Sequence, residues 1–248
     1  MLLRLCFMIS GAVALTTLKQ PPVVTVLLGQ DVLLPCELQV TQDEKVQNKP
    51  VLYWIDDRDA YLFPPSETGG YAGRVEVMNK TFSNKSIVLK KVRWSDSRTY
   101  QCKLSIETNK RGHFREKGDK TRLIIYDAMN FDLISNGSLL CCEVNVSLDL
   151  GFALSVSQAG RVLQGVDCPA TAGSNRTGVT LSRTVSLTGG GEYECRLQLG
   201  NDLITSSSFH SNLTDVERHP EPWVLYGSVL LVPVLVLLVL VAATLMHR

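Results

Sequence analysis

A surplus of one charge is missing from this chain. Its 25 lysines and arginines stand against 24 aspartates and glutamates, a formal net charge of +1. A protein that neutralises phosphates carries a basic excess, so no nucleic-acid partner is expected. Histidine is scarce. His113, His210, His219 and His247 are scattered, and no Cys-x-x-Cys occurs, so no zinc ligand set forms. A nucleophile signature such as Gly-x-Ser-x-Gly is absent. Gly189-Gly190-Gly191 precedes a strand pattern rather than a helix, which makes it a turn and not a phosphate cradle. Neither an enzyme nor a cofactor is expected.

Long apolar runs are few, and they lie at the ends. Residues 1–17 read as a secretory leader: Arg4 supplies the positive start, Leu5 to Leu15 the apolar stretch, and Ala12-Val13-Ala14 the small-x-small cleavage site. The mature chain is expected to begin between Leu15 and Gln20. Val224 to Met246 has no charged residue and as a helix would be about 34 Å long, enough to cross a bilayer. Trp223 and Tyr226 sit where an outer aromatic belt would lie. Residues 216–223 form a polar stalk, 224–246 a single transmembrane helix, and 247–248 the cytoplasmic tail. A tail that short holds no tyrosine signalling motif, and a span without charge cannot pair with a charged adaptor helix. The second reading of the same run is a glycosylphosphatidylinositol anchor signal, with Ser206-Ser207-Ser208 as its small residues.

Compartment follows from the cysteines and the sequons. Of seven cysteines, Cys6 belongs to the leader; Cys36, Cys102, Cys141, Cys142, Cys168 and Cys195 remain, an even set that implies disulfides outside the cytosol. Asn79, Asn84, Asn136, Asn145, Asn175 and Asn212 each open an Asn-x-Ser/Thr glycosylation sequon.

Between these ends the hydrophobic period is two. Val32, Leu34 and Cys36 share one face of a strand; so do Leu52 with Trp54, Ile87 with Leu89, and Tyr100 with Cys102 and Leu104. With Arg74 and the run Asp96-Ser97-Arg98-Thr99-Tyr100-Gln101-Cys102, these residues resemble the variable (V-set) form of the immunoglobulin fold. The resemblance implies that Cys36 and Cys102 bridge strands B and F across a sandwich. It further implies that Trp54 on strand C packs on that bridge, Tyr100 locks the E–F corner, and Arg74 pairs with Asp96. The family's glycine two residues after the Asp is Arg98 here. The interval between the two cysteines leaves room for strands C′ and C″. Residues 18–126 are assigned to this domain.

Residues 127–215 read as a second sandwich, similar to the constant-like (C2) form. Glu192-Tyr193-Glu194-Cys195 repeats the Tyr-x-Cys of strand F, but Gly189 stands at the Asp position and no Trp lies between Cys142 and Cys195. Leu154 is expected to fill the Trp site. Leu140, Cys142 and Val144 alternate with Cys141, Glu143 and Asn145; a carboxylate and a glycan belong in water, so Cys142 points inward toward Cys195 and Cys141 is left with Cys168. The alternative is a strained vicinal Cys141–Cys142 bridge, with Cys168 paired to Cys195. The fold class is therefore all-β: two tandem immunoglobulin-like sandwiches followed by a single transmembrane helix.

Such variable domains bind partners through the sheet of strands G, F, C and C′. Its outward residues here are expected to be Tyr53 and Ile55 on strand C, Phe63 on a strand Tyr61 to Phe63, and Gln101, Lys103 and Ser105 on strand F. Phe114, Lys110, Arg111 and Arg115 are placed on an F–G loop from Glu107 to Lys117, whose basic rim suits an acidic partner. The expected function is surface recognition or adhesion, with the outer domain binding an immunoglobulin-type receptor on another cell or a second copy of itself. The chain is similar in plan to junctional-adhesion-, butyrophilin- and SLAM-type molecules, although SLAM-type outer domains usually lack the B–F disulfide. The alternative is a ligand-binding subunit of a multi-chain immune receptor. The expected location is the cell membrane, single-pass, with the N-terminus outside.

Overall fold

The computed structural model describes residues 16–65, 69–78, 81–148, 150–167 and 178–212, with isolated positions between 237 and 246. The expected leader, apart from Thr16 and Thr17, and the expected stalk lie outside the described residues, as does nearly all of the expected membrane span. Among the described residues no helix is long and apolar enough to cross a membrane.

The first unit is built from β1 (Thr17–Lys19), β2 (Val23–Leu27), β3 (Val32–Leu34), β4 (Glu37–Gln39), β5 (Val51–Asp56), β6 (Tyr61–Phe63), β7 (Val75–Val77), β8 (Ile87–Leu89), β9 (Thr99–Thr108), β10 (Gly112–Lys117) and β11 (Thr121–Tyr126). One sheet runs β11-β9-β5-β6, with β10 paired to β9 and β2 running parallel to β11; the facing sheet is β3-β8-β7. Strands C, C′ and F of the expected fold are β5, β6 and β9, and β10 with β11 makes strand G. Among the described residues no strand follows β6 before β7, so no C″ strand is seen.

Alternation sets the core. Val32, Leu34, Trp54, Ile87, Leu89, Val92, Tyr100 and Leu104 are all buried around the Cys36–Cys102 disulfide, whose Cα atoms are 6.4 Å apart. Trp54 lies opposite Cys102 across β5 and β9. Its indole N–H donates to the Lys85 carbonyl at 2.9 Å, so the one polar atom of a fully buried ring is satisfied. Tyr100 donates its hydroxyl to the Asp96 carbonyl at 2.7 Å and closes the corner. Arg74 grips Asp96 with both terminal nitrogens, at 2.7 and 2.9 Å, in a pair that is almost wholly buried. Arg98, where glycine was the expected residue, donates to the Ser95 carbonyl and faces Asp57, so the turn is tied down rather than loosened.

Thr16 and Thr17 belong to the sandwich: Thr17 pairs with Gln39 on β4, and the fully buried Thr16 donates its hydroxyl to Glu44. The polar Thr16-Thr17 step ends the apolar run, and strand pairing begins there.

The second unit holds β12 (Asn130–Ile134), β13 (Leu139–Val146), β14 (Phe152–Gln158), β15 (Arg161–Val162), β16 (Val179–Ser186), β17 (Gly191–Leu199) and β18 (Asp202–Ser211). One layer is β12-β13-β16 and the other β15-β14-β17-β18. Cys142–Cys195 spans them, with Cα atoms 6.6 Å apart. Cys141 is disulfide-bonded as well. The chain at Val166 pairs with Thr184, the cross-strand neighbour of Cys141, which brings the segment that leads to Cys168 to this edge. Cys168 itself lies outside the described residues. Gly165 permits that approach, since a Cβ there would lie 2.5 Å from the Thr184 carbonyl.

Two expectations fail in this unit. The position opposite Cys195 on β14 is Val156, fully buried, and not Leu154, which is half-buried two residues earlier. Asn145, expected to face water with a glycan, is 3% exposed. Its amide nitrogen donates to Asp127 at 2.6 Å and its oxygen accepts from Thr180 at 2.7 Å. The chain leaving β11 folds across this end of β13, so a face that would be solvated in an isolated domain is covered.

The same crossing joins the two units. Tyr126 pairs with Val146, which links β11 to β13 in one continuous sheet. Ser147 exchanges backbone and side-chain bonds with Ile125, and its hydroxyl meets that of Ser97 at 2.7 Å. Ile124, Val144, Val146, Phe152 and Leu197 form an apolar cluster of their own beneath this contact.

Candidate partner-binding face

The outward side of β6-β5-β9-β10 follows from pairing. Tyr53 lies opposite Lys103, Val51 opposite Ser105, Lys103 opposite Lys117, and Ser105 opposite Arg115. These residues share one face because each is one step away from an inward partner, Leu52, Trp54, Leu104 or Ile106. Tyr61 comes up beside Tyr53, ring centroids 6.4 Å apart in an edge-on contact. Val51 and Tyr61 are each about half exposed. Beside Tyr53 and Tyr61 lies a concavity of about 500 Å³, lined also by Ile55, Lys103, Arg115 and Lys117 and by the carboxylates Asp59 and Glu116.

The expected site residues divide. Tyr53 and Lys103 stand on the face as the alternation predicts. Ile55 points the same way but is 7% exposed, because the tyrosines and β9 side chains around it close over it; it is the floor of the hollow rather than a free contact. A register shift after Trp54 turns Phe63 inward opposite Trp54, and Phe63 packs on the core. Phe114 also packs on the core, since it pairs with the buried Ile106. The expected F–G loop is mostly a hairpin. Strand pairing continues to Thr108, resumes at Gly112, and leaves a short turn that Gly112 closes at φ +65°.

The basic rim of that turn is spoken for. Lys110 pairs with Asp43, and Arg111 reaches Glu44 at 2.7 Å while its guanidinium lies 3.8 Å over the Phe114 ring. Glu44 also accepts from Thr108 and Thr16. The Arg111 hydrogen bond, followed by that of Thr16, brings its carboxyl down to about 2 despite burial. Asn109 and Glu107 bind the loop from Val40 to Pro50 through Lys45 and Gln47. Both loops at this end of the domain therefore form one rigid block. On the far side of β5, Asp56 is fully buried; burial pushes its pKa up, but donors from the Ala60 and Arg58 backbones and from Tyr71 and the Arg58 side chain hold it below the ordinary range. Burial raises Tyr71, which donates to Asp56, to about 12.

The glycan positions lie elsewhere. Asn84 follows β7 and precedes β8, in the sheet opposite the concavity; its side-chain oxygen caps Ser86, and its amide nitrogen has no partner among the described residues. A second hollow of about 550 Å³ lies beside it, lined by Lys19, Gln20, Glu37 and Ser83, within reach of a sugar on Asn84. Asn136 is exposed on the β12–β13 turn and Asn212 is exposed after β18. Asn79 and Asn175 lie outside the described residues. None of the six sequons falls on β5, β6, β9 or β10. Among the described residues no cluster of His, Cys, Asp and Glu could hold a metal ion.

The model of the immunoglobulin V-set domain matches residues 19–126. Among solved structures, murine CRIg is similar at 18% identity with a TM-score of 0.38, covering 44% of this chain and 96% of that one. The structure of Rst D1-D2 is similar at 16% identity with a TM-score of 0.44, covering 79% and 96%. No curated protein matches the chain.

Proposed function

We propose that this chain, whose residues 19–126 match the immunoglobulin V-set domain, is a cell-surface recognition or adhesion protein whose outer domain binds another surface protein through the β6-β5-β9-β10 face. V-set domains commonly mediate protein–protein contacts, and the family is generally non-enzymatic. The observation that carries the reading is the one-sidedness of the domain. Tyr61 and Val51, each about half exposed, the partly buried Tyr53 and the concavity share the sheet that has no sequon, while Asn84 lies toward the opposite sheet. A glycan is bulky and solvated, so it keeps its own face clear of protein.

The partner in this reading is an immunoglobulin-type receptor on an apposed cell or a second copy of the chain. Residues 224–246 anchor the protein with the two sandwiches outside. Treatment of intact cells with phosphatidylinositol-specific phospholipase C then releases nothing, whereas a lipid anchor would be released.

The test of the site is a binding screen of the full chain, displayed on cells, against a library of surface ectodomains. Tyr53→Ala is expected to weaken capture of the partner by more than about 1 kcal/mol, as truncation of a central aromatic does, with surface level unchanged. Phe63→Ala is expected to lower surface level instead, since Phe63 belongs to the core. Capture unaffected by Tyr53→Ala would place the partner elsewhere.

A further inference from the structure

Three cations in the middle of this face have no carboxylate partner among the described residues, unlike those at its two ends. Lys110 and Arg111 at one end, and Arg58 and Arg98 at the other, meet carboxylates within 4.0 Å. Among the described residues, Lys103, Arg115 and Lys117 meet none. They are also crowded. Lys103 lies directly opposite Lys117 across β9 and β10, and Arg115 stands two residues along the same strand. Like charges directly opposite each other on a sheet are destabilising. Two carboxylates, Asp59 and Glu116, also line the hollow, but among the described residues neither forms an ion pair with the three cations. Beside the three cations, Tyr53 and Tyr61 wall a hollow floored by Ile55.

We propose that this concavity seats an acidic, extended segment of the partner protein, with carboxylates on alternate residues meeting Lys103, Arg115 and Lys117 and an apolar side chain at the next same-face position resting among Tyr53, Tyr61 and Ile55. The inference rests on the function proposed above and gives the partner its chemistry. Spacing selects the ligand. Arg115 and Lys117 are two residues apart on a strand, roughly 6.6 Å, and Lys103 is one strand spacing from Lys117, about 5 Å. One carboxylate cannot span that triangle. Carboxylates at alternate positions of an extended chain repeat at about the same 6.6 Å, the side chains between them point away from the face, and the next alternate position again faces it, toward the tyrosines. A ligand with a single acid group, such as one terminal acidic sugar, would leave two cations unpaired. The hairpin turn cannot take this role, because Lys110 and Arg111 are committed to Asp43 and Glu44.

The test uses the full chain in mild detergent and a labelled peptide of the repeat Glu-Ser-Glu-Ser-Tyr-Ser, which puts glutamates and tyrosine on one face, with the same repeat carrying lysine for glutamate as the charge control and heparin as competitor. The glutamate peptide is expected to bind, more weakly as salt rises, and the lysine peptide not to bind. Lys103→Glu with Lys117→Glu is expected to weaken binding by about tenfold or more, and Tyr53→Ala by several-fold. Lys110→Glu should leave it unchanged, and an unaltered melting temperature shows that the variants are folded. No binding by the native chain, or binding indifferent to the double reversal, overturns the proposal. So does heparin binding that depends on these residues while the glutamate peptide is ignored, which would make the ligand a sulfated polysaccharide. Partner capture separates this failure from failure of the function itself. Lys103→Asn creates a sequon with Ser105, with Lys103→Gln as its control. A glycan that blocks capture while charge reversal does not means the face is right and the chemistry wrong. A tolerated glycan means the face is wrong.

Discussion

At the centre of the outer sandwich Trp54 lies against the Cys36–Cys102 bridge; at the same point of the second, opposite Cys195, stands Val156. Tyr100 and Tyr193 make the same corner, donating to Asp96 and Gly189, but only the first corner is held by an Arg74–Asp96 clamp. The outer domain also buries far more apolar side chain around its bridge. The second domain offsets its small core by leaning on the first through Ile124, Val144, Val146, Phe152 and Leu197. The difference shows where the chain can tolerate strain. A sandwich with a large core and a clamped corner can carry three crowded cations on its outer sheet. A sandwich with a small core is suited to holding the first one in place.

The largest effects should come from the centre of the outer domain. Trp54→Ala is expected to cost about 3–5 kcal/mol, and Val156→Ala at the matching position about 2 kcal/mol, read from denaturant unfolding. Equal costs would mean that the two cores are alike after all. Arg74→Ala leaves the buried Asp96 carboxylate without its cation and is expected to cost about 3–5 kcal/mol. The Cys36→Ser variant, which loses a core bridge worth about 2–5 kcal/mol, should not reach the cell surface, whereas Cys168→Ser should reach it at reduced level. Equal levels by flow cytometry would contradict the ranking.

The junction comes next. Asn145→Ala removes two buried side-chain hydrogen bonds and is expected to cost about 1–3 kcal/mol. Glycopeptide mapping should find Asn136 and Asn212 modified and Asn145 bare. A sugar on Asn145 would show that the crossing chain does not cover it. The smallest effect is at the hairpin. The folded-state pKa of Glu44 lies below its unfolded value of 4.5, so its contribution is complete above that pH and is lost as pH falls toward about 2. The stability gap between the native chain and Glu44→Gln should therefore be constant above about pH 5.5 and shrink below pH 4.5. A gap that widened on acidification would reverse the sign and exclude the Arg111 pair as its cause.

Much of the fold was legible because a strand's period is two and a disulfide needs both cysteines on one inner face. Cys142 pointing inward, the Tyr100 corner and the Arg74–Asp96 pair all follow from local alternation and motif. The misplacements share another cause: each needed knowledge of what lies above a face. Asn145 alternates outward correctly, yet Asp127 and Thr180 cover it. Ile55 alternates outward correctly and becomes a floor. Phe63 is turned by a register shift that no pattern announces. Leu154 was misplaced by one period of the pleat, since Val156 takes the place opposite Cys195. Lys103 follows from alternation, but the hairpin cations could not be told apart from sequence, since Lys110 and Arg115 look equivalent until the carboxylates of a distant loop claim one of them.

The most direct measurement places one glycan on each outer sheet in turn. Lys103 and Arg196 each follow the strand-F cysteine of their domain. Lys103→Asn creates a sequon on β9, and Arg196→Asn with Gln198→Thr creates one at the matching place on β17. Partner-bearing cells are then scored for capture of each full-length variant, with surface level and glycan occupancy checked. The account predicts that the β9 glycan abolishes capture and the β17 glycan leaves it intact; capture that survives the first and fails with the second would contradict it.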